Sequence, residues 1–244
     1  MINERALNFI DRHEVVILDL CNTFLFVCDR FSDSKSFSDT YRNMGGARLA
    51  DQQVESMIER TFSILERTGD KPEYYDKFPQ VKEIMHGLAR ELHVSEEEIG
   101  RLEEVFAIHE SGTIPKEYAD VLVGLRKRHR LGLLSNIWTK KNIYVEELRR
   151  AGVDRLFENT VFSSDHGMLK PSRKLFDIAV EPFKVDRSKI VYIGDSYDRD
   201  VVGAKQSGLS SVWISYGKPC PQGSPHRPDQ IVDDLRDLAS EPKK

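Results

Sequence analysis

The apolar run Val15-Val16-Ile17-Leu18 ends on a carboxylate, Asp19, and the polar turn Leu20-Cys21-Asn22-Thr23 follows at once. Later segments repeat this pattern. They are Leu133-Leu134-Ser135-Asn136, Leu169-Lys170-Pro171 and Val191-Tyr192-Ile193-Gly194-Asp195-Ser196. In an open α/β sheet, residues just past the strand ends face the crevice where ligands bind. A carboxylate, a hydroxyl, a cation and a second carboxylate therefore arrive there in one chain order. Phosphoryl transfer to a carboxylate needs that set: a nucleophile, a group that holds a phosphate oxygen, a fixed positive charge and a metal-binding acid.

The elements that must position these residues are legible around them. Val15–Leu18 is short, β-branched and uninterrupted, as expected of a strand buried on both faces. Leu131–Leu134, Val161-Phe162-Ser163, Ile190–Ile193 and Ser211–Ile214 read as further strands. Between them lie helices marked by Tyr118, Val121, Leu122 and Leu125, by a stretch that Thr139 can cap and that stops near Gly152, and by Leu175, Phe176 and Ile178 after Pro171 at a first turn. A last one carries Val201 and Ala204 and ends at Gly208. Strands alternating with helices predict a doubly wound parallel sheet in a three-layer α/β/α domain. From about Gly45 to Ser111 the texture is helical only. Met57, Ile58, Phe62 and Leu65 share one face, and Val81, Ile84, Met85, Leu88 and Leu92 another. Ser95 with Glu98 forms a capping box before Ile99, Leu102 and Phe106. The expected organisation is a core of residues 1–26 and 112–244 interrupted by an all-helical insertion, 27–111. The Pro- and Gly-rich segment Gly217 to Pro228 is expected to be loop.

Composition narrows the function. The 244 residues carry a net charge of −4, which offers no general affinity for nucleic acid or acidic membranes. The basic run Arg126-Lys127-Arg128-His129-Arg130 ends a predicted helix, where cations complement the dipole, and reads as a solvated face. Three cysteines, Cys21, Cys28 and Cys220, show no metal-ligand spacing, so a reducing, cytoplasmic setting fits best. Met1 to Glu14 is too charged for a signal peptide, and the stretch Val15 to Cys28 is too short to span a bilayer. His129, His166 and His226 lack partners at metal-binding spacing. The partner expected is a small phosphorylated metabolite, with the chain a monomer or homodimer.

Each candidate has an ordinary explanation when taken singly. Lys170 alone reads as a solvated lysine, Ser135 as a polar residue at a strand end, and Asp200 as an acid favoured at a helix start. Taken together they do chemistry. Asp19 attacks phosphorus, Asp195 joins it in binding a divalent metal, and Lys170 pairs Asp19 with the transferring group. Ser135 holds a phosphate oxygen, with Asn22, Thr23 and Asn136 beside it. Asp200 supports the metal ligands. An oxygen-only set with few protein ligands suits Mg²⁺.

These motifs resemble those of the haloacid dehalogenase (HAD) superfamily of hydrolases. Asp19-Leu20-Cys21-Asn22-Thr23 is similar to the first motif, usually Asp-x-Asp-Gly-Thr. Leu134-Ser135-Asn136 is similar to the second and Lys170-Pro171 to the third. Gly194-Asp195-Ser196-Tyr197-Asp198-Arg199-Asp200-Val201-Val202-Gly203-Ala204 resembles the fourth and is the most specific. The resemblance covers nearly the whole chain. It implies Asp19 as nucleophile and Mg²⁺ held by Asp19, the Cys21 backbone carbonyl and Asp195. It also implies that Ser135 binds phosphate and Lys170 orients the charges. The helical insertion between the first two motifs resembles the cap of one subfamily.

Cys21 departs from that pattern. The family's phosphatases carry an Asp there that protonates the leaving oxygen and then activates water. A thiol donates hydrogen bonds weakly and has an ordinary pKa of about 8.5. The expected activity is therefore Mg²⁺-dependent phosphohydrolysis that is slow or restricted to good leaving groups such as aryl or acyl phosphates. Dehalogenase and phosphonatase relatives also lack that Asp. The first usually has Tyr there and needs no metal. The second forms a Schiff base through a cap lysine, for which Lys35, Lys71, Lys77 and Lys82 are the candidates here. A catalytically impaired phosphate-binding protein is the remaining alternative.

Overall fold

The computed structural model describes residues 4–26, 31 and 36–239. Cys28, Lys35 and the expected start of the insertion at 27 lie outside the described residues. The elements run α1 (Glu4–Ile10), β1 (Val15–Leu18), α2 (Phe37–Asn43), α3 (Asp51–Gly69), α4 (Val81–Ala89), α5 (Glu96–Glu110), α6 (Lys116–Arg126), β2 (Arg130–Ser135), α7 (Asn142–Arg150), β3 (Phe157–Phe162), α8 (Arg173–Val180), β4 (Ile190–Gly194), α9 (Val202–Gln206), β5 (Ser210–Ile214) and β6 (Gln230–Val232), with short 3₁₀ turns between several of them.

All six strands form one parallel sheet in the order β3-β2-β1-β4-β5-β6. Leu18 lies opposite Leu133 on one side and Ile193 on the other, so the ends of the three central strands are level. Successive side chains of β1 divide between two cores. Val16 and Leu18 join Ile10, Leu122, Leu125 and Leu148 beneath the sheet. Val15 and Ile17 join Leu175, Phe176 and Ala179 of α8 above it. The direction of winding reverses between β1 and β4, which opens a crevice at their C-terminal ends.

Helices α2 to α5 lie between β1 and β2 in sequence and bury an apolar cluster of their own. It includes Val54, Met57, Leu65, Met85, Leu102 and Phe106, and Leu169 enters it from the sheet side. The chain leaving β1 and the chain leaving α5 meet in a two-residue bridge. Phe26 N–H donates to Thr113 O at 2.9 Å, and Thr113 N–H to Phe26 O at 2.8 Å. Gly112 permits this approach, since a Cβ there would lie 2.3 Å from Phe26 O.

Several local readings are corrected. Ser95 precedes α5 but its side chain makes no cap bond, because Glu98 is buried and accepts from Tyr41 Oη at 2.5 Å. Thr139 caps no helix. Helix α7 starts at Asn142, and the Thr139 hydroxyl donates to Glu110 instead. Pro171 stands two residues ahead of α8, and Ser163 opens a 3₁₀ turn rather than ending β3. In the basic run, Arg126 and Arg130 pair with Glu158 and Arg128 pairs with Asp11, while His129 is buried rather than solvated.

His13 links α1 to the sheet. Its Nδ1–H donates to Phe9 O at 3.1 Å, and Nε2 lies 2.9 Å from Ser210 Oγ. Burial holds this imidazole below its ordinary 6.5, against the Phe9 and Ile10 carbonyls and Asp229, while His129 adds to the depression. The unfolded chain takes up a proton below pH 6.5 that the folded one refuses. The stability that His13 contributes is therefore whole above 6.5 and is lost as pH falls from there to the depressed native value. Urea midpoints between pH 7.5 and 5.5 are expected to fall more steeply in the wild type than in His13→Gln. Equal slopes would sink this assignment.

Candidate active site

Asp19 begins where β1 ends. Its backbone N–H still donates to Ile193 O at 2.8 Å, which extends the ladder one residue and fixes the carboxylate over the crevice. Asn22 then adopts φ 54°, a conformation that Asn tolerates better than most side chains. Its side chain hydrogen-bonds Asp195. Thr23 is fully buried and donates from Oγ1 to Asp19 Oδ2 at 3.4 Å. The side chains of Asn22 and Thr23 thus meet the two carboxylates. Cys21 is buried in the lower core and forms no disulfide among the described residues.

Lys170 is 2% exposed, which corrects the solvated reading of this residue taken alone. Its ammonium donates to Asp19 Oδ1 at 2.6 Å, Asp200 Oδ1 at 2.7 Å and Tyr192 Oη at 3.0 Å. Three donors meet three acceptors, so the charge is fully satisfied without water. Burial alone would lower its pKa, but Asp19 and Asp200 outweigh burial and raise it. The Tyr192 hydroxyl in turn donates to Leu134 O at 2.8 Å, one residue before Ser135.

Asp200 stands on a π-helical turn, Tyr197–Val201, that folds back over the end of β4. Its second oxygen accepts from Ser196 N–H at 2.9 Å. Gly194 makes room for it, because a Cβ there would lie 2.3 Å from Asp200 Oδ2. Carboxylate oxygens of Asp19, Asp195 and Asp200 lie within 4.8 Å of one another. Burial, then the charges of Asp19 and Asp200, push Asp195 up to about 7, against Lys170 and the Asn22 hydrogen bond. Three acids around one lysine leave an excess of negative charge that a divalent cation offsets, and all the donors are hard oxygens, as Mg²⁺ prefers.

Ser135 is fully buried at the end of β2, and its hydroxyl has no hydrogen-bond partner among the described residues. A buried hydroxyl without a partner costs free energy, so this one is suited to a ligand oxygen. The neighbouring Asn136 side chain is engaged otherwise. Its Oδ1 accepts from Lys170 N–H at 2.8 Å and its Nδ2 donates to Lys170 O at 3.4 Å, so it locks Lys170 in place.

Three further residues shape the site and were not singled out from sequence. Tyr192 sits mid-strand, where an aromatic residue reads as core. Arg199 joins the helical layer to the site, donating to Lys170 O at 3.1 Å and Gly69 O at 2.6 Å. Glu110, at the end of α5, is buried and accepts from Trp138 N–H at 2.6 Å and Thr139 N–H at 3.0 Å, which pins the loop after Ser135. Above the site lies a cavity of about 350 Å³. It lies between the helical layer and the sheet, and its walls include Phe31, Phe62, Asn136, Trp138, Leu169 and Arg199. His166 is exposed, and Cys220 packs beside Tyr197, Val201 and Trp213.

Known proteins resemble this chain in sequence and in fold. The HAD-hydrolase-like family matches residues 168–238, the stretch from Lys170 through Asp200 to the end of the sheet. A glyceraldehyde 3-phosphate phosphatase of Pyrococcus abyssi is 35% identical over 99 residues, 40% of this chain and 41% of that protein. The pyrimidine 5'-nucleotidase YjjG of Escherichia coli is 29% identical over 145 residues, 58% of this chain and 63% of the relative. The chain thus spans about two fifths to three fifths of the length of these curated relatives. Among solved structures, a 2-haloacid dehalogenase of Pseudomonas syringae superposes with a TM-score of 0.67 at 20% identity, over 93% of this chain and 96% of that one. The HAD-hydrolase YfnB of Bacillus subtilis, solved with magnesium, gives 0.62 at 17% identity over 93% and 97%. At such identities the likeness is one of fold.

Proposed function

Because the chain belongs to the HAD-like hydrolase superfamily, we propose that it is a Mg²⁺-dependent phosphohydrolase of small phosphorylated metabolites, with Asp19 as nucleophile. The observation that carries this reading is the Lys170 ammonium bound to Asp19 and Asp200 while the Ser135 hydroxyl beside them has no partner among the described residues. Asp19 and Asp195 would hold Mg²⁺, with Asp200 supporting them and the Cys21 carbonyl as the further ligand that the resemblance implies. Bound there, the metal supplies electrostatic stabilisation of the phosphoryl oxygens.

The chain's own residues do the rest. Lys170 holds Asp19 Oδ1, while Oδ2, which meets Thr23 at the longer distance of 3.4 Å, is the oxygen that attacks phosphorus. A bond forms from Asp19 to phosphorus as the ester P–O bond breaks, the leaving oxygen departs with the bonding pair and takes its proton from water, and the Ser135 hydroxyl donates to a phosphoryl oxygen. Water then cleaves the aspartyl phosphate, releasing phosphate and restoring the carboxylate. Helices α2–α5, taken as a cap over residues 27–111, shield the site from bulk water during these steps.

The carboxylate trio favours a metal enzyme over a metal-independent dehalogenase. Lys71, Lys77 and Lys82 are exposed, and none is among the residues that line the cavity, so no described lysine supports a Schiff-base route. Among the described residues no helix is long and apolar enough to cross a membrane. The name of the Pyrococcus relative supports a phosphorylated metabolite as substrate. The direct test is release of p-nitrophenol from p-nitrophenyl phosphate. Turnover is expected with Mg²⁺, abolished by EDTA and restored by added Mg²⁺. Release indifferent to EDTA would overturn the metal reading, and no release would favour a phosphate-binding protein.

A further inference from the structure

We propose that the cavity between the helical layer and the sheet selects monoesters whose phosphate is carried on an aromatic ring. This rests on the phosphohydrolase reading and adds the class of leaving group.

A structural observation and the departure of the sequence at Cys21 converge on it. One is the wall of the cavity. Phe31, Phe62 and Trp138 line it with Leu169, opposite an acidic rim of Glu66, Asp70 and Glu110, and the Phe62 ring meets both other rings. Phe31 and Phe62 have centroids 4.7 Å apart, and Phe62 and Trp138 5.7 Å apart. Both pairs are tilted, the arrangement that a further ring extends favourably. Trp138 is no loose surface ring. Its backbone N–H is fixed by the buried Glu110 carboxylate, and Phe106 also packs against it. It follows Ser135 by three residues, so its Cα lies within about 11 Å of that of the serine even with the chain fully extended. Asn136, which locks Lys170, lines the same cavity, so the aromatic wall is continuous with the site. The wall thus begins one residue past Ser135.

The other observation is Cys21. With a thiol at the position two residues after Asp19, the leaving oxygen departs with little help from an acid. A phenolic oxygen needs it far less than an alkyl one, because the ring delocalises the charge. The chemistry that the missing acid favours and the shape that the cavity favours are thus the same.

The test uses ligands that cannot turn over, so it does not depend on activity. Phenylphosphonate and methylphosphonate are titrated by calorimetry into the intact protein with Mg²⁺. Both present the same phosphonate, and only one presents a ring. Phenylphosphonate is expected to bind about tenfold more tightly or better. That ratio is expected to fall toward one in Trp138→Leu and, independently, in Phe62→Leu, and to recover in Trp138→Phe. Equal binding of the two phosphonates by the wild type would overturn the proposal. So would a ratio unchanged in both leucine variants. Failure of both phosphonates to bind would overturn the phosphoryl site itself, a result distinct from equal binding.

Discussion

Asp19→Asn and Lys170→Met are expected to silence the same reaction and yet separate sharply in stability. The Asp19→Asn change removes the nucleophile, so Mg²⁺-dependent release from p-nitrophenyl phosphate falls to background. The buried cation keeps Asp200 at 2.7 Å and the Tyr192 hydroxyl at 3.0 Å, so the fold survives. The Lys170→Met change does the reverse. It strips the buried ammonium from among Asp19, Asp195 and Asp200 and leaves their charges unmatched. Breaking a buried ion pair by removing one partner costs about 3–5 kcal/mol. For a chain of this size, that lowers the melting temperature by roughly 6–20 °C. Thermal melts without Mg²⁺ check it. A Lys170→Met variant as stable as the wild type would mean that the lysine does not hold the carboxylates together, and an active Asp19→Asn variant would remove Asp19 as nucleophile.

The same cluster marks how far a sequence reading reaches. Asp19, Lys170, Asp195 and Asp200 were legible because each follows a buried strand or opens a helix, and such positions fall at one end of a parallel sheet. Tyr192 was not legible. It occupies an inward position of a fully buried strand, and nothing in a run of Val, Tyr and Ile says that a hydroxyl will meet an ammonium. Glu110 and Arg199 were missed for a related reason. A charged residue in or near a helix reads as solvated until the fold shows a backbone N–H or carbonyl waiting for it. The misread caps have the same origin, since Glu98 and Thr139 are claimed by Tyr41 and Glu110, 57 and 29 residues away in sequence. Strand β6 is three residues long, too short for any periodicity to show. Local pattern thus reveals elements and their ends, while long-range polar pairing is settled only when the layers close.

Cys21→Asp is expected to raise kcat/KM on an alkyl ester such as β-glycerol phosphate by roughly 10²–10⁴-fold, the usual worth of a general acid. On p-nitrophenyl phosphate the expected gain is under about tenfold, since that oxygen leaves without a proton. Position 21 is 6% exposed and borders the apolar cluster with Phe24 and Leu25, so burial holds an Asp there toward its protonated form. That form is the one able to donate. The same burial is expected to lower stability by about 1–3 kcal/mol, the cost of an imperfectly satisfied polar group in a core. Activity and stability should therefore move in opposite directions. No gain on the alkyl ester would mean that protonation of the leaving group is not what limits this enzyme. Equal gains on both esters would instead put the defect at hydrolysis of the aspartyl phosphate, the one step that the two substrates share.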